Sequence, residues 1–114
     1  MSEEIQELAR QLLSVCQTLD QLASPACAEK VGKHTRAEIH SHISGARYQG
    51  SRVSPHWSKP ALVEAYIAIQ QRKCEAEREG LLSQLEYWGV SRAHALAFVK
   101  KQQASQGAKA GKRS

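Results

Sequence analysis

Residues 3–23 read EEIQELARQLLSVCQTLDQLA, and this stretch decides the fold. Its large aliphatic residues recur at alternating spacings of three and four, which is the period of one face of an α-helix. They are Ile5, Leu8, Leu12, Val15, Leu19 and Leu22. Ser2 can cap this helix, and the acids of the first turn suit the positive end of the helix dipole. The pattern predicts an amphipathic helix over residues 3–23.

The apolar stripe of this helix allows two interpretations. In the first it packs in the core of a helical bundle. In the second the same six residues form a heptad-type seam between two copies of the chain. A stripe this wide on a chain of 114 residues suits either interpretation, and we expect a homodimer that uses it.

The composition is typical of a small all-α protein. Apolar residues make up 41% of the chain and aromatic residues only 5%, so the core must be mainly aliphatic. Seven Gly and three Pro are too few for a β-sandwich with many tight turns. We expect a bundle of four to five helices, with residues 1–99 as one helical domain and residues 100–114 as a mobile basic tail.

Several classes of protein are excluded by the same sequence. Uncharged apolar runs such as residues 65–69 are far shorter than the roughly 20 residues needed to cross a bilayer. The acidic N-terminus lacks the basic start and apolar stretch of a secretory signal, so we expect a cytoplasmic protein. Cys16, Cys27 and Cys74 are odd in number and widely spaced, which is typical of reduced thiols.

Capping residues place two helix starts in the middle of the chain. Ser24-Pro25 combines a favoured N-cap with a favoured first helical residue. Either one helix passes through Gly32 or Gly32 separates two short helices, and we expect the break. Thr35 and Glu38 fit a capping box, which predicts a helix over residues 35–46.

The segment 28–45 is similar to a helix-turn-helix. An alanine lies four residues before Gly32, a threonine opens the second helix, and Ile39 follows four residues later. Ile39 lies seven residues after Gly32, where six is usual, so the turn holds one extra residue. The similarity implies a second helix that lies in the major groove of DNA.

A connector and two further helices complete the expected fold. Residues 47–58 lack helical periodicity, with a short β-hairpin as one alternative and Trp57 anchored at the edge of the core. A long helix opens at Ser58 and stops at Gly89, and Gly80 either kinks or splits it. Its polar middle allows ion pairs at helical spacing, such as one between Arg72 and Glu75. Ser91 caps the last helix.

Positive charge is concentrated in one central segment and in the tail. Residues 30–59 carry six Lys or Arg against one acid, a net charge of +5, and four of the five His. The tail from Lys100 adds five cations and no acid, whereas residues 1–22 carry a net charge of −3. Because Lys and Arg neutralise phosphates and release counterions, this distribution favours a polyanionic partner.

The spacing of the central cations points to a binding surface. On a helix, Lys33, Arg36, His40 and Arg47 would share one face beside the aliphatic residues that face the core. We therefore predict binding of nucleic acid, DNA more than RNA. The predicted contacts are Lys33, Arg36, His40, Arg47, Arg52, Lys100, Lys101, Lys109, Lys112 and Arg113.

No pattern predicts catalysis, a metal site or a cofactor. Cys27, His34, His40 and His42 have a spacing that matches no common zinc pattern. The glycines are isolated, so there is no phosphate-binding loop, and no nucleophile, His and acid are brought together by spacing. The alternative to nucleic-acid binding is a protein-interaction module. Such an adaptor or inhibitor would bind another protein through its leucine-rich first helix or its basic face.

Overall fold

The computed structural model describes residues 2–112, with side chains described up to Ser105. Helices account for 76% of the chain, which confirms the predicted small all-α bundle. In chain order the elements are α1 (Glu3–Ala23), α2 (Pro25–Val31), α3 (Arg36–Ile43), β1 (Arg47–Tyr48), β2 (Ser51–Arg52), α4 (Lys59–Tyr87) and α5 (Arg92–Lys112).

The chain forms two compact units. Unit one comprises Met1–Thr18 and Ala76–Ser114, and unit two comprises Leu19–Glu75. Unit one therefore contains most of α1, the end of α4 and all of α5. Unit two contains α2, α3, the two strands and the first part of α4. The division into a 1–99 domain and a tail stays a prediction.

The core of unit two is built by α3, by Val53 just after β2, and by α4. Its buried residues are Ile39, Ile43, Val53, Leu62, Ala65 and Ile69. Partly buried residues that pack against them are Val31, Ala46, Tyr48, Trp57, Val63 and Tyr66. The position of Trp57 confirms that the connector is anchored at the edge of the core.

The caps form as the sequence predicts. The Ser24 hydroxyl accepts the N–H of Ala26 at 3.2 Å, and α2 ends at Gly32. The Thr35 hydroxyl accepts the N–H of Glu38 at 3.2 Å, and a Glu38 carboxylate oxygen accepts the N–H of Thr35 at 2.9 Å. These reciprocal bonds satisfy two backbone donors that the helix leaves unpaired.

The helix α3 is shorter than predicted, because it ends at Ile43 and not at residue 46. Gly45 adopts a φ of 83°, a left-handed conformation that a right-handed helix cannot contain. The N–H of Ala46 then donates to the carbonyl of Ile43 at 3.1 Å, and the chain turns into β1.

A β-hairpin with a two-residue loop follows, which confirms the short hairpin around Gly50 that the sequence allowed as an alternative to an irregular connector. Gln49 and Gly50 have φ values of 52° and 80°. Two successive positive φ angles are typical of a type I′ turn, whose twist matches that of the flanking strands. In the antiparallel register Arg47 lies opposite Arg52, and Tyr48 lies opposite Ser51.

Unit one buries aliphatic side chains from each of its three helical segments. They are Leu8, Leu12, Val15 and Cys16 of α1, Leu81, Leu82 and Leu85 of α4, and Ala95 and Val99 of α5. The helix α4 runs through Gly80 without a break. A Schellman motif ends α4: the N–H of Val90 donates to the carbonyl of Leu85, and the N–H of Gly89 to that of Glu86, both at 2.9 Å.

The last helix extends further than the apolar pattern indicates. Ser91 caps it as predicted, with its hydroxyl accepting the N–H of His94 at 3.2 Å. The helix then continues past Val99 to Lys112, where the sequence predicts a tail. The mobility of that tail stays a prediction.

Candidate nucleic-acid interface

Two arginines project from the outer face of the hairpin. Tyr48 and Val53 pack against the core of unit two. Because successive side chains of a strand point to opposite faces, Arg47 and Arg52 project away from that core, and both are exposed. They are directly opposite in the register, so their β-carbons lie roughly 5 Å apart.

A third arginine reaches the hairpin from α4. The Nη2 of Arg72 donates to the backbone carbonyl of Arg47 at 3.4 Å. We call Arg47, Arg52 and Arg72 the hairpin arginine cluster. Like charges directly opposite each other destabilise a strand pair, and a phosphate between the guanidinium groups would relieve that repulsion.

Sequence reasoning missed Arg72, because helical spacing suggested an ion pair with Glu75. No such pair is found among the residues that the structure describes. The contact between Arg72 and Arg47 joins residues 25 positions apart, so no local signal in the sequence could have indicated it.

Glu64 interacts with Tyr48 on the inner face of the hairpin. Partial burial raises the pKa of the Tyr48 phenol, and hydrogen bonding with Glu64 and the charge of that carboxylate raise it further. The positive charge of Arg72 acts in the opposite direction. Glu64 is thus engaged with Tyr48, on the side of the strand that faces away from Arg47 and Arg52.

The helix α3 contributes a second, smaller basic surface. Ile39 and Ile43 are each 2% exposed and fix the inner face of this helix. Arg36 and His40 lie one turn apart beside that face, with Arg36 exposed and His40 half-buried. This spacing allows both side chains to contact one ligand.

The predicted four-residue helical face is wrong. Lys33 lies in the turn before α3, and Arg47 lies on β1 after it. Only Arg36 and His40 share a helix, because α3 ends at Ile43 and the chain turns at Ser44 and Gly45 before Arg47 is reached. The structure instead brings Arg47 together with Arg52 and Arg72.

The single acid of the basic segment is used by the cap of α3. The pKa of Glu38 is lowered first by the hydrogen bond that its carboxylate accepts from the Thr35 backbone N–H. Hydrogen bonding with the Thr35 side chain lowers this pKa further. The nearby His34 lowers it further, with 3.6 Å between its Nδ1 and a carboxylate oxygen. Glu38 is therefore committed to Thr35 and His34.

The arginines of unit one are placed differently. Arg92 makes two hydrogen bonds to the carboxylate of Glu79, at 2.6 and 2.7 Å, and this lowers the pKa of Glu79. Arg10 pairs with Glu7 at 2.9 Å. In contrast, within the described part of the chain, none of the cations of unit two that we assign to binding has an ion-pair partner. They are Lys33, Arg36, Arg47, Arg52 and Arg72.

The predicted contacts of the C-terminal segment are described only in part. Lys100 and Lys101 are exposed on α5. Lys109 and Lys112 belong to the backbone of α5, but their side chains lie outside the described residues, as does the whole of Arg113.

The stripe of α1 is partly used within the chain itself. Leu8, Leu12 and Val15 are 8%, 0% and 7% exposed, so the core interpretation holds for them. Ile5, Leu19 and Leu22 remain half-buried. A homodimer through this stripe stays a prediction.

Within the described range, no three His, Cys, Asp or Glu side chains come together as metal ligands would. None of the helices described is long and apolar enough to cross a membrane. Comparison with known proteins found no matching family, curated protein or solved structure.

Proposed function

We propose that this chain is a small nucleic-acid-binding protein, a regulator or accessory factor and not an enzyme, which binds through unit two. The observation that carries the proposal is the hairpin arginine cluster: two arginines on the outer face of one hairpin and a third that reaches its backbone from α4, none with an ion-pair partner among the described residues. A guanidinium group can donate two parallel hydrogen bonds to a phosphate, so the cluster suits a phosphodiester backbone.

The arrangement of α2 and α3 supports duplex DNA as the preferred ligand. These helices follow each other with a four-residue connection, and Lys33, Arg36 and His40 lie in or just after it. A helix fits the major groove of B-form DNA, whereas the major groove of A-form RNA is too narrow to be read. In this proposal α3 approaches the groove and the hairpin contacts the backbone.

A cytoplasmic location is part of the same proposal. Cys27 and Cys74 are free thiols, as a reducing compartment would maintain them.

Fluorescence anisotropy with a labelled duplex of about two helical turns tests the proposal at roughly 50 and 200 mM salt. The double variant Arg47→Ala with Arg52→Ala should bind more weakly at both salt concentrations. The slope of log affinity against log salt should fall by about 1.8, because two phosphate contacts are lost. Labelled single-stranded DNA and duplex RNA are the comparison ligands, and both are expected to bind less tightly.

A charge-matched pair of variants separates the cluster from general attraction. Arg72→Ala and Lys73→Ala each remove one positive charge from neighbouring exposed positions of α4. Only Arg72 contacts the hairpin, so Arg72→Ala should weaken binding more than Lys73→Ala. Equal losses, or unchanged affinity in the Arg47 and Arg52 double variant, would remove the assigned surface.

A protein-interaction module is the second candidate, and exposed apolar side chains on unit one favour it. Tyr87, Trp88, Leu96 and Phe98 are exposed to 86%, 45%, 36% and 38%. Apolar groups of this size that remain on a surface often belong to contacts with a partner. Partners that are retained from a nuclease-treated lysate would favour this function, and partners that are lost would indicate bridging nucleic acid.

A further inference from the structure

Unit one contains an apolar groove of about 490 Å³ between α1 and α5. Its α1 wall is formed by Ile5, Ala9 and Leu12, and its α5 wall includes His94, Phe98 and Lys101. Both sets have the spacing i, i+4 and i+7, which places each on one face over two helical turns. The groove is therefore about 10 Å long and is bounded by two helices.

The floor of the groove is buried, while its rim is open. Leu12, which completes the α1 wall at its base, and Leu85 are 0% and 2% exposed. Phe98 is 38% exposed at the rim, and the small side chain of Ala97 beside it leaves room for a ligand. The chain's own packing thus leaves a large aromatic side chain incompletely covered.

The charge of the groove indicates the kind of partner. Among the described lining residues, Lys101 is the one with a formal charge, His94 also lies on the α5 wall, and no acid is found. An occupant with carboxylates beside its apolar surface would therefore complement this wall.

We propose that this groove binds an amphipathic helix of another protein, with an apolar ridge that enters the groove and Asp or Glu residues that meet Lys101. A groove bounded by two helices accepts the ridge of a third helix, as in helix-in-groove recognition. The acidic helix α1 of a second copy fits less well, because its Leu8 and Leu12 are already buried. This inference is independent of nucleic-acid binding by unit two.

A designed peptide of about 18 residues provides the probe, since that length can sustain an isolated helix. It carries Leu at i, i+4 and i+7 with flanking Glu, and its control carries Lys in place of Glu. Titration of the labelled peptides with the full chain should show at least about tenfold tighter binding of the Glu peptide, as expected for a charge-complementary contact. Chemical shift changes at the methyl groups of Ile5 and Ala9 should accompany it.

Two matched pairs of variants locate the contact on α5. Phe98→Ala should weaken binding of the Glu peptide about tenfold, whereas Leu96→Ala should leave it unchanged. Leu96 is 36% exposed on the same helix and does not line the groove. Lys101→Glu should reverse the preference between the two peptides, and Lys100→Glu, one residue further round the helix, should not.

Three outcomes would overturn the proposal. They are equal binding of the two peptides, equal losses for Phe98→Ala and Leu96→Ala, and a self-associated chain in sedimentation velocity that Phe98→Ala makes monomeric. The last result would assign the groove to a second copy. Ala97→Trp fills the groove without removing a side chain, so it checks the result independently if Phe98→Ala lowers the thermal stability.

Discussion

Glu38 is the only acid between residues 30 and 59, and its carboxylate is held at the start of α3. It accepts the N–H of Thr35 and lies near His34, so it does not neutralise the arginines of the hairpin. A single capping box thus has two consequences. It fixes where α3 begins, and it leaves the positive charge of unit two without compensation from within its own segment.

At this scale we predict that Thr35→Ala lowers the free energy of unfolding by about 1 kcal/mol, because the first turn of α3 loses its cap. Urea denaturation followed by circular dichroism measures the change. Thr35→Ser is the control, since it keeps the hydroxyl that accepts the N–H of Glu38 and should retain most of the stability. An equal loss in both variants would contradict the capping role.

The lowered pKa of Glu38 gives this cap a pH dependence of known sign. A carboxyl group whose pKa is lower in the folded state stabilises the fold above its ordinary pKa of 4.5. That stabilisation is lost as the pH falls through the folded-state pKa below 4.5. The difference in stability between the native chain and Glu38→Gln should therefore shrink between about pH 6 and pH 3.

At the scale of elements, glycines decide where regular structure ends. The turn after α3 combines Ser44, with an extended ψ of 132°, and Gly45, with a φ of 83°, and Gly50 closes the hairpin with a φ of 80°. Gly80 has no such effect: it lies inside α4 in a helical conformation, where glycine costs only about 1 kcal/mol relative to alanine. The same residue type thus ends one helix and is tolerated in another, according to the φ that its neighbours require.

We predict that Gly50→Ala destabilises the hairpin by roughly 1–2 kcal/mol, because a β-carbon disfavours the left-handed conformation. The loss would release Arg47 from Arg52, so the affinity for the labelled duplex should fall as well. The N–H of Val53 donates to the carbonyl of Ala46 at 3.0 Å. Hydrogen exchange of this amide therefore reports the opening of the hairpin.

Gln49→Asn is the matched control for the hairpin. Asn-Gly is favoured in type I′ turns, so this variant should keep or raise both the protection of the hairpin and the affinity for the duplex. Faster exchange in Gln49→Asn, or full affinity in Gly50→Ala, would separate the hairpin from binding.

Over the whole molecule the net charge is +5, and the described arginines differ in ion pairing between the two units. In unit one, Arg10 and Arg92 are paired with glutamates. The arginines of the hairpin have no such partners in the part of the chain that the structure describes. Paired charges gain little from a polyanion, whereas unpaired ones release counterions, so we assign specific binding to unit two.

Lys100 and Lys101 should contribute only sequence-independent attraction. We predict that Lys100→Gln with Lys101→Gln lowers the salt slope by at most about 1.8 and weakens binding to duplex and single-stranded DNA by the same factor. Salt-dependent anisotropy measures both quantities. A loss of discrimination between the two ligands would instead place these lysines in the specific interface.

Local patterns in the amino-acid sequence are sufficient to predict the class of fold and the starts of the helices. The stripe of α1, the cap at Ser24 and the capping box at Thr35 each depend on residues within a turn or two of one another, so local spacing reveals them. The length of α3 was not determined in this way, since helical spacing continues through Ala46 while the backbone turns at Gly45.

The composition of the candidate sites depends on long-range packing, which local patterns do not reveal. It joined Arg72 to Arg47 across 25 residues, and it placed the residues of α1 and α5 along one groove. Such contacts arise because helices pack through buried aliphatic side chains, and that packing sets which exposed residues become neighbours. The spacing of charges along the chain does not indicate which exposed residues become neighbours.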